Sequence, residues 1–235
     1  MVLLGTIVNA LLIIVGAIIG RFLKNIPENM KQTVMYAIGI AVVVLGIQMG
    51  LESTNFVLII ICLVFGGVIG EWIDIDKWLN KLGKYIEQKF GSKTAEGGSI
   101  AQGFVTGTLI FVIGAMGVLG ALNSGLQNDH ELLISKGIID GFTSIILSAT
   151  LGIGVLLSAI PVAVYQGAIA LFATQITKLI PEAALELFIK EMTATGGIMI
   201  IAIGLNLLGL TKIRVANLLP SLVIVAIAVT FIYNF

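Results

Sequence analysis

The stretch that decides the fold is GIIDGFTSIILSATLGIGVLLSAIPVAVYQGAIALFATQITKLI, residues 137–180, which is an almost unbroken apolar run. The hydrocarbon core of a bilayer takes about 20 helical residues, so this run is too long for one crossing. Pro161 lies in its middle, and we expect the chain to break or re-enter the membrane there. The run also holds polar residues that hydrocarbon does not tolerate unpaired: Asp140, Thr143, Ser144, Ser148, Thr150, Ser158, Tyr165 and Gln166. Broken apolar segments of this kind are typical of transporters.

The composition indicates an integral membrane protein. Hydrophobic residues make up 58% of the chain and charged residues 11%, and the mean hydropathy is +1.10. A soluble domain carries about 25% charged residues. The formal net charge of +0 offers no basic surface to nucleic acid, which we exclude as a partner. The chain is apolar from Met1 without a basic segment, so we interpret its start as a first span and not as a signal peptide.

Residues that carry common enzyme chemistry are scarce. Cys62 is the only cysteine and His130 the only histidine. Single copies exclude an intrachain disulfide framework, a CxxC metal site and the usual histidine clusters. The chain also has no HExxH, no P-loop and no nucleophile elbow. We therefore expect no enzymatic activity and no cofactor, and the residues leave open whether a metal ion binds.

Hydropathy over windows of about 19 residues predicts an all-α polytopic bundle of seven or eight transmembrane helices. The count is seven if 162–180 is re-entrant and eight if it crosses. Pro181 is expected to start a separate short surface helix over 181–192. The predicted spans lie near 2–23, 33–51, 55–73, 100–122, 138–160, 162–180, 193–210 and 214–234.

These spans divide the chain into three parts. An N-terminal membrane unit of three helices covers 1–75, a cytoplasmic amphipathic helix with a linker covers 76–99, and a C-terminal membrane unit covers 100–235 with its broken segment at 138–180. In the middle part, an apolar face and a lysine-rich side are typical of a helix that lies on the membrane surface. The apolar face consists of Trp78, Leu82, Tyr85 and Ile86, and the lysines are Lys77, Lys81, Lys84 and, back on the apolar face, Lys89.

The basic residues orient the chain with its N-terminus outside. In that orientation ten of the 13 lysines and arginines fall on the cytoplasmic side, as the positive-inside rule favours. Arg21, Lys24 and Lys31 form the first cytoplasmic group, and Lys93 ends the second. A re-entrant 162–180 gives the same ten to three, so this rule does not fix the number of spans.

Two glycine-rich segments suggest an internal repeat. GIAVVVLGIQMGL (39–51) aligns with GIMIIAIGLNLLGL (197–210), so that Gly39 matches Gly197 and Gly46 matches Gly204. With eight spans the two helices cross in opposite directions, which predicts an inverted repeat as in alternating-access transporters. The alternative is that glycine-rich apolar helices resemble each other by composition alone. A weaker match pairs Gly5 and Gly16 with Gly141 and Gly152 at a different offset.

The helix GTLIFVIGAMGVLGALNSGL (107–126) is expected to unwind near the middle of the membrane. Gly114 and Gly117 mark the expected break, because glycine does little to hold a straight helix. Unwound backbone exposes carbonyl oxygens that bind a cation where a cavity surrounds them. The alternative is close packing, since glycines at such spacings let helix backbones approach.

Asp140 is the best single candidate for function. With Thr143 and Ser144 it forms a group that could coordinate a cation or carry a proton, and Ser148 continues the hydroxyl stripe as a pathway. The alternative is an interfacial carboxylate that pairs with Lys136 four residues earlier. Further amides lie within or beside spans, and we expect two of them to act as polar gates: Gln166 and Asn123, with Gln102 as another pathway amide.

Three segments resemble a known family. VIGAMGVLGALNSGL (112–126), SKGIIDGFTSIILSATLGIGVLLSAIPVAVYQGAIALFA (135–173) and TATGGIMIIAIGLNLLGL (193–210) resemble the YdfK/YqgA-type family, which is grouped as a domain of unknown function. The resemblance covers essentially the whole chain. It implies a multi-spanning protein of the bacterial cytoplasmic (inner) membrane and a role in transport. No substrate or catalytic residue carries over from it.

Together these observations predict a membrane transporter of a small solute or ion, with coupling to a cation or proton as one option. The first alternative is a non-transporting scaffold or sensor subunit, in which the basic helix 76–90 docks a partner or anionic lipid. The second alternative is an oligomeric ion channel. The expected partners are the bilayer, the small solute or ion, and a second copy of the chain, because a dimer is the default symmetry.

Overall fold

The computed structural model of the protein describes residues 1–22, 28–90 and 100–234. Lys24, Lys93 and the predicted linker lie outside the described residues, as do the side chains of Lys31, Leu82, Lys84, Ile86 and Lys89. Over the described ranges the chain is all-α, as predicted. The helices are α1 (Leu4–Phe22), α2 (Glu28–Gly50), α3 (Phe56–Ile73), α4 (Ile75–Phe90), α5 (Ile100–Val112), α6 (Ala115–Gln127), α7 (Glu131–Leu151), α8 (Ala159–Leu171), α9 (Ala173–Leu179), α10 (Glu182–Leu207) and α11 (Pro220–Asn234), with short 3₁₀ helices at Ile153–Ser158 and Val215–Leu218.

Seven segments of the described chain are helical, long and apolar enough to cross a membrane. The eighth candidate is the pair α5–α6, which is bent by 63°. The prediction of a polytopic bundle with seven or eight spans is therefore confirmed. The predicted amphipathic segment is helical as α4, and its position on the membrane surface stays a prediction.

The helices form two compact units. Unit 1 contains residues 1–31, 79–112 and 116–179, and unit 2 contains residues 32–78, 113–115 and 180–235. These units differ from the division predicted from the sequence. Helix α1 packs in unit 1 with helices that begin more than 100 residues later in the chain. The first three spans therefore do not form one compact unit.

In unit 1, α1 and α7 pack closely and run in the same direction. The Ser144 hydroxyl donates to the carbonyl oxygen of Ile13 over 2.8 Å, and the Ser148 hydroxyl donates to that of Ala17 over 2.8 Å. Between these contacts Gly16 lies directly against the backbone of Gly141, where even a Cβ atom would collide. Glycine and serine thus allow two apolar helices to touch through their backbones.

In unit 2, α2 and α10 pack through paired glycines and run in opposite directions. A Cβ atom at Gly46 would lie 2.6 Å from the carbonyl oxygen of Gly197, and one at Gly39 would lie 3.3 Å from that of Gly204. Helix α3 and the C-terminal segment are antiparallel as well, since Gly70 lies against Asn217 while the earlier Gly66 lies against the later Ser221.

These directions agree with eight crossings. Consecutive spans cross a membrane in alternating directions. If α5–α6 counts as one span, α1 and α7 must therefore run in parallel, and α2 and α10 must run in opposite directions. If residues 153–171 were re-entrant, α2 and α10 would instead run in parallel. The contacts between the paired glycines therefore favour a full crossing by this segment.

The prediction of a break at Gly114 is confirmed, whereas the prediction of a break at Pro161 is wrong in position. The broken segment around Pro161 has its break at Gly152, where φ is 87°. Pro161 itself lies in the first turn of α8. Proline is tolerated there because the N–H that it lacks would have no intrahelical acceptor. In the other helix the break is at Gly114, where φ is 136°. The prediction of a break at Gly117 is wrong, since this residue lies within α6.

The prediction of a separate surface helix over 181–192 is wrong. Residues 182–207 form one continuous helix, α10, in which Glu191 is fully buried. The prediction placed a boundary there because charged residues are unfavourable within a membrane span. The Glu191 carboxylate is instead hydrogen-bonded by the turn before α3, which allows the helix to continue through the acidic residue.

Candidate functional site

Unit 1 contains a buried group of polar side chains, which we call the polar cluster. Its members come from three helices: Thr6 and Asn9 from α1, Lys136 and Asp140 from α7, and Gln166 from α8. Asn9 and Gln166 are 0% exposed, and none of the other three is more than 6% exposed. Asp140 lies about 14 Å along α7 from Glu131, at about 1.5 Å per residue, whereas Thr6 lies in the first turn of α1.

Lys136 and Asp140 form an ion pair one helical turn apart on α7. The sequence analysis gave this pairing as the alternative interpretation of Asp140, and in the structure the pair is buried within the protein. Each side chain is only 7% exposed. Removing two charges from water costs several kcal/mol per ion, which their attraction offsets only when further hydrogen bonds are made. A buried pair is therefore weak evidence for a purely stabilising role.

A bridge between two amides connects α1 to α8 beside this ion pair. The Asn9 Nδ2 donates to Gln166 Oε1 over 3.2 Å, and the Asn9 side chain also lies near the Asp140 carboxylate. Three buried atoms of the cluster have no hydrogen-bond partner among the described residues: Thr6 Oγ1, Asn9 Oδ1 and Gln166 Nε2. The cluster is thus incompletely satisfied by the protein itself.

Gly117 borders the cluster from the first turn of α6. A Cβ atom at Gly117 would lie 3.5 Å from Lys136 Cε, 3.8 Å from Gln166 Nε2 and 3.7 Å from the carbonyl oxygen of Val112. A methyl group at this position would make ordinary van der Waals contacts with all three atoms, so α6 packs closely on the Lys136 side chain and the Gln166 amide. The sequence drew attention to Gly117 for a different reason, as a helix break.

Of the residues predicted for the pathway, Asp140 and Gln166 are brought together in the cluster. Thr143 is half-buried, and its hydroxyl donates to the carbonyl oxygen of Ile139 over 2.8 Å, so it does not join Asp140 in a coordination group. Ser144 and Ser148 donate to carbonyl oxygens of α1, as described above. Their hydroxyl stripe therefore holds two helices together.

The two remaining amides lie elsewhere. Gln102 is exposed on α5 and Asn123 is half-buried on α6. Neither is hydrogen-bonded to the polar cluster within the described chain. The predicted gate of Gln166 with Asn123 is therefore replaced by the bridge of Gln166 with Asn9.

Thr6, Asn9 and Lys136 are the residues of the cluster that the sequence did not select. One signal for the first two was visible: they are the only hydroxyl or amide residues of α1, and they are three residues apart. That spacing places both on one face of a helix. Their meeting with Gln166 depends on tertiary packing, which local spacing does not reveal.

A metal centre is not evident. Within residues 1–22, 28–90 and 100–234, no group of three or more histidine, cysteine or acidic residues could hold a metal ion. The polar cluster offers one carboxylate, already paired with an ammonium group, together with amide and hydroxyl groups. This set suits hydrogen bonding of a small polar species better than coordination of a metal.

Unit 2 holds a buried acid of a different kind. Glu191 of α10 accepts hydrogen bonds from the Ser53 hydroxyl (2.6 Å), the Thr54 backbone N–H (2.9 Å), the Thr54 hydroxyl (2.7 Å) and the Asn55 backbone N–H (3.2 Å). Asn55 is also the N-cap of α3, accepting from the Leu58 N–H. The protein thus satisfies this carboxylate at a helix N-terminus, which indicates a structural anchor between α3 and α10.

Comparisons with known proteins agree with the membrane character of the chain. Residues 4–230 match the family described as "Protein of unknown function (DUF554)". The chain is 37% identical to the uncharacterized membrane protein YdfK of Bacillus subtilis, over 98% of this chain and 97% of the relative. It is 27% identical to the uncharacterized protein YqgA of Escherichia coli, over 94% of both chains. No solved structure matches.

Proposed function

This chain belongs to the DUF554 family of proteins of unknown function, and we propose that it is a transporter that moves a small solute or ion across the membrane. The polar cluster of unit 1 would be its binding site. We further propose the bacterial inner membrane as its location, with the N-terminus outside, because the distribution of basic residues favours that orientation.

The observation that carries the proposal is the set of three unpartnered atoms beside a buried ion pair. An unsatisfied buried polar atom costs about 1–3 kcal/mol, and almost all buried polar groups in proteins are paired. A bundle that served only as a scaffold could replace Thr6, Asn9 and Gln166 by apolar residues and become more stable. Atoms that lack a partner from the protein are suited to a water molecule or a solute that completes their hydrogen bonds.

The broken helices support the same function. Transporters bind substrates near the bilayer midplane where helices are discontinuous. Helix α6 begins at a glycine break, and Gly117 in its first turn borders the cluster. Helix α8 follows a second glycine break and supplies Gln166.

The packing of α2 on α10 supports an inverted repeat. If the repeat exchanges Gly39 with Gly197 and Gly46 with Gly204, the contact of Gly39 with Gly204 becomes the contact of Gly197 with Gly46. Both contacts are present, which is the arrangement that a local two-fold axis between the two helices would produce. The weaker match of α1 to α7 does not fit an inverted repeat, because these two helices are parallel.

Flux through proteoliposomes tests the proposal. Vesicles loaded with a pH dye and challenged with gradients of cations, anions and small neutral solutes would compare wild type with Asp140→Asn. The matched control is Thr143→Ala on the same helix, where the hydroxyl donates to a carbonyl oxygen of its own helix. We expect flux in wild type and Thr143→Ala, and its loss in Asp140→Asn.

A second variant separates loss of function from loss of fold. Asp140→Asn leaves Lys136 without its counter-ion, so the double variant Lys136→Gln/Asp140→Asn removes both charges and restores neutrality. Gel filtration and thermal unfolding would show which proteins are folded. Equal flux in folded Asp140→Asn and wild type would remove Asp140 from the mechanism. Folded wild type without flux under any gradient would favour the scaffold or sensor alternative.

A further inference from the structure

Helix α4 presents an exposed stripe in which aromatic and basic side chains lie side by side. Trp78 is 69% exposed and Tyr85 is 60% exposed, and Lys77 and Lys81 are exposed as well. The two lysines are one helical turn apart and the two aromatic residues are two turns apart, so all four lie on one side of the helix. We call these four residues the basic aromatic stripe.

The opposite side of α4 is less exposed and carries the nearest acidic residue of the helix. Ile75, Leu79 and Asn80 are half-buried there, and so is Asp76. Over its whole length α4 has four lysines and two acidic residues. The side that the helix turns outward is therefore the basic and aromatic one.

The end of α3 sets the position of the basic aromatic stripe. Helix α4 begins at Ile75, two residues after α3 ends at Ile73, and α3 is long and apolar enough to cross a membrane. Trp72, in the last turn of α3, is 88% exposed. Tryptophan and tyrosine are enriched where membrane meets water, because their rings are apolar with one polar group. The stripe thus begins at the depth where α3 leaves the hydrocarbon.

Contacts with the C-terminal part of the chain fix the first turn of α4 at this depth. The Asp76 backbone N–H donates to Asn217 Oδ1 over 2.8 Å, and Asn217 Nδ2 donates to Glu71 Oε2 over 2.6 Å. Asn217 is buried, and Gly70 of α3 packs directly against its carbonyl oxygen. The buried amide of Asn217 therefore joins the end of the span to the start of α4.

The acidic residues at this turn have a basic partner of their own. Arg214 forms an ion pair with Glu71, and its Nη1 lies 3.6 Å from Asp74 Oδ1. Asp74 Oδ2 also lies 3.9 Å from Lys77 Nζ. Ion pairs between exposed side chains are weak, so this contact leaves Lys77 able to bind other anionic groups.

From these observations we infer that the basic aromatic stripe of α4 binds the headgroups of anionic phospholipids at the surface of the bilayer. The lysines would pair with the lipid phosphates, while Trp78 and Tyr85 occupy the interface. Basic amphipathic helices are attracted to anionic lipids in this way. An acidic protein partner would need α4 to point away from the membrane, although its first turn is held at the end of a span. The inference does not depend on transport, and it applies equally to a scaffold.

The two tryptophans of the chain, Trp72 and Trp78, both lie at this surface and allow a direct test. Trp72→Phe leaves Trp78 as the single fluorescent reporter. This protein would be reconstituted in bilayers of phosphatidylcholine and phosphatidylglycerol, in which one lipid or the other carries bromine atoms that quench tryptophan fluorescence on contact. At equal mole fraction we expect brominated phosphatidylglycerol to quench Trp78 more strongly. The preference should disappear at about 1 M ionic strength, where the screening length falls to about 3 Å.

Two outcomes of this experiment would overturn the inference. Equal quenching by the two brominated lipids would show that the surface does not select anionic headgroups. An absence of quenching by either lipid would place Trp78 away from the bilayer, as docking on an acidic protein partner requires.

Lys77→Gln/Lys81→Gln is the decisive variant, and Lys178→Gln/Lys190→Gln is its matched control, both made with Trp72→Phe. All four lysines are exposed, so both proteins should fold, and both lose two positive charges. Each lysine near an anionic surface contributes about fivefold in affinity. The decisive variant should therefore weaken the relative affinity for phosphatidylglycerol by about 25-fold, and the control should leave it unchanged. An equal effect of both variants, or none of either, would overturn the assignment to the stripe.

Inorganic phosphate distinguishes a lipid site from a site for soluble anions. An excess of phosphate at constant ionic strength should leave the preference for phosphatidylglycerol unchanged, because free phosphate has no acyl chains that hold it at the interface. Loss of the preference would show that the lysines bind phosphate from solution, and it would overturn the assignment to lipid. No solute gradient enters these measurements, so a failure of the proposed transport would not alter their result.

Discussion

The ion pair of Lys136 with Asp140 leads to a quantitative prediction about stability. Each side chain is 7% exposed, so replacing one partner leaves an unpaired charge in the middle of a span. Such single replacements cost about 3–5 kcal/mol, whereas replacing both partners by apolar residues is often neutral or stabilising. We therefore expect Lys136→Met and Asp140→Leu each to destabilise by about 3–5 kcal/mol, and the double variant to recover most of the loss.

Unfolding by SDS titration in mixed micelles, followed by tryptophan fluorescence, measures this double-mutant cycle. The control is the pair Lys77–Asp74, at 3.9 Å with side chains 66% and 35% exposed. Pairs of that kind contribute about 0.2–1 kcal/mol. A coupling free energy for Lys136 and Asp140 as small as that of the control would refute the reasoning. The reasoning would also be refuted if the free-energy losses of the two single variants simply added in the double variant, because the two side chains would then not be coupled.

Three further predictions follow from the packing and the topology. Gly46→Ala should destabilise by about 1–3 kcal/mol, because its Cβ would lie 2.6 Å from the Gly197 carbonyl oxygen, whereas Gly50→Ala meets nothing within 4 Å and should be neutral in the same SDS titration. Glu191→Ala should cost about 1–3 kcal/mol by removing the hydrogen bonds from the turn before α3 to the charged carboxylate, and a loss below about 0.5 kcal/mol in that assay would contradict its role as an anchor. Single cysteines at Asn128 and Lys212, in a protein with Cys62→Ser, should react with impermeant thiol reagents from opposite sides of the membrane, whereas a re-entrant 153–171 would place both on one side.

The sequence predicted the membrane helices well because the hydrocarbon core imposes a length on every apolar segment. The predicted spans 2–23 and 55–73 correspond to α1 (Leu4–Phe22) and α3 (Phe56–Ile73). The position of a break was harder to predict. The break was predicted at Pro161, because proline usually interrupts a helix. A proline in the first turn does not disrupt the helix, however, and α7 ends instead at Gly152, where φ is positive.

Of the candidate site, only the contact between residues that are close in the sequence could be predicted. Lys136 and Asp140 are four residues apart on one helix, so their pairing follows from spacing alone. The bridge between Asn9 and Gln166 joins residues 157 positions apart, and no periodicity in one sequence reveals such a contact. The same limit explains the error at 181–192, where the partners of Glu191 lie more than 130 residues earlier.

The two acidic residues that are buried in the described part of the chain show why the polar cluster is the better place to look for function. Glu191 receives four hydrogen bonds from one turn of the chain, so its burial is fully accounted for by the fold. Asp140 is paired with Lys136, but the amides and hydroxyl around this pair keep three atoms without partners. Selection for stability alone would remove such atoms, since each costs about 1–3 kcal/mol. Their presence is explained if a species from solution occupies the site for part of the time, and transport requires a site of that kind.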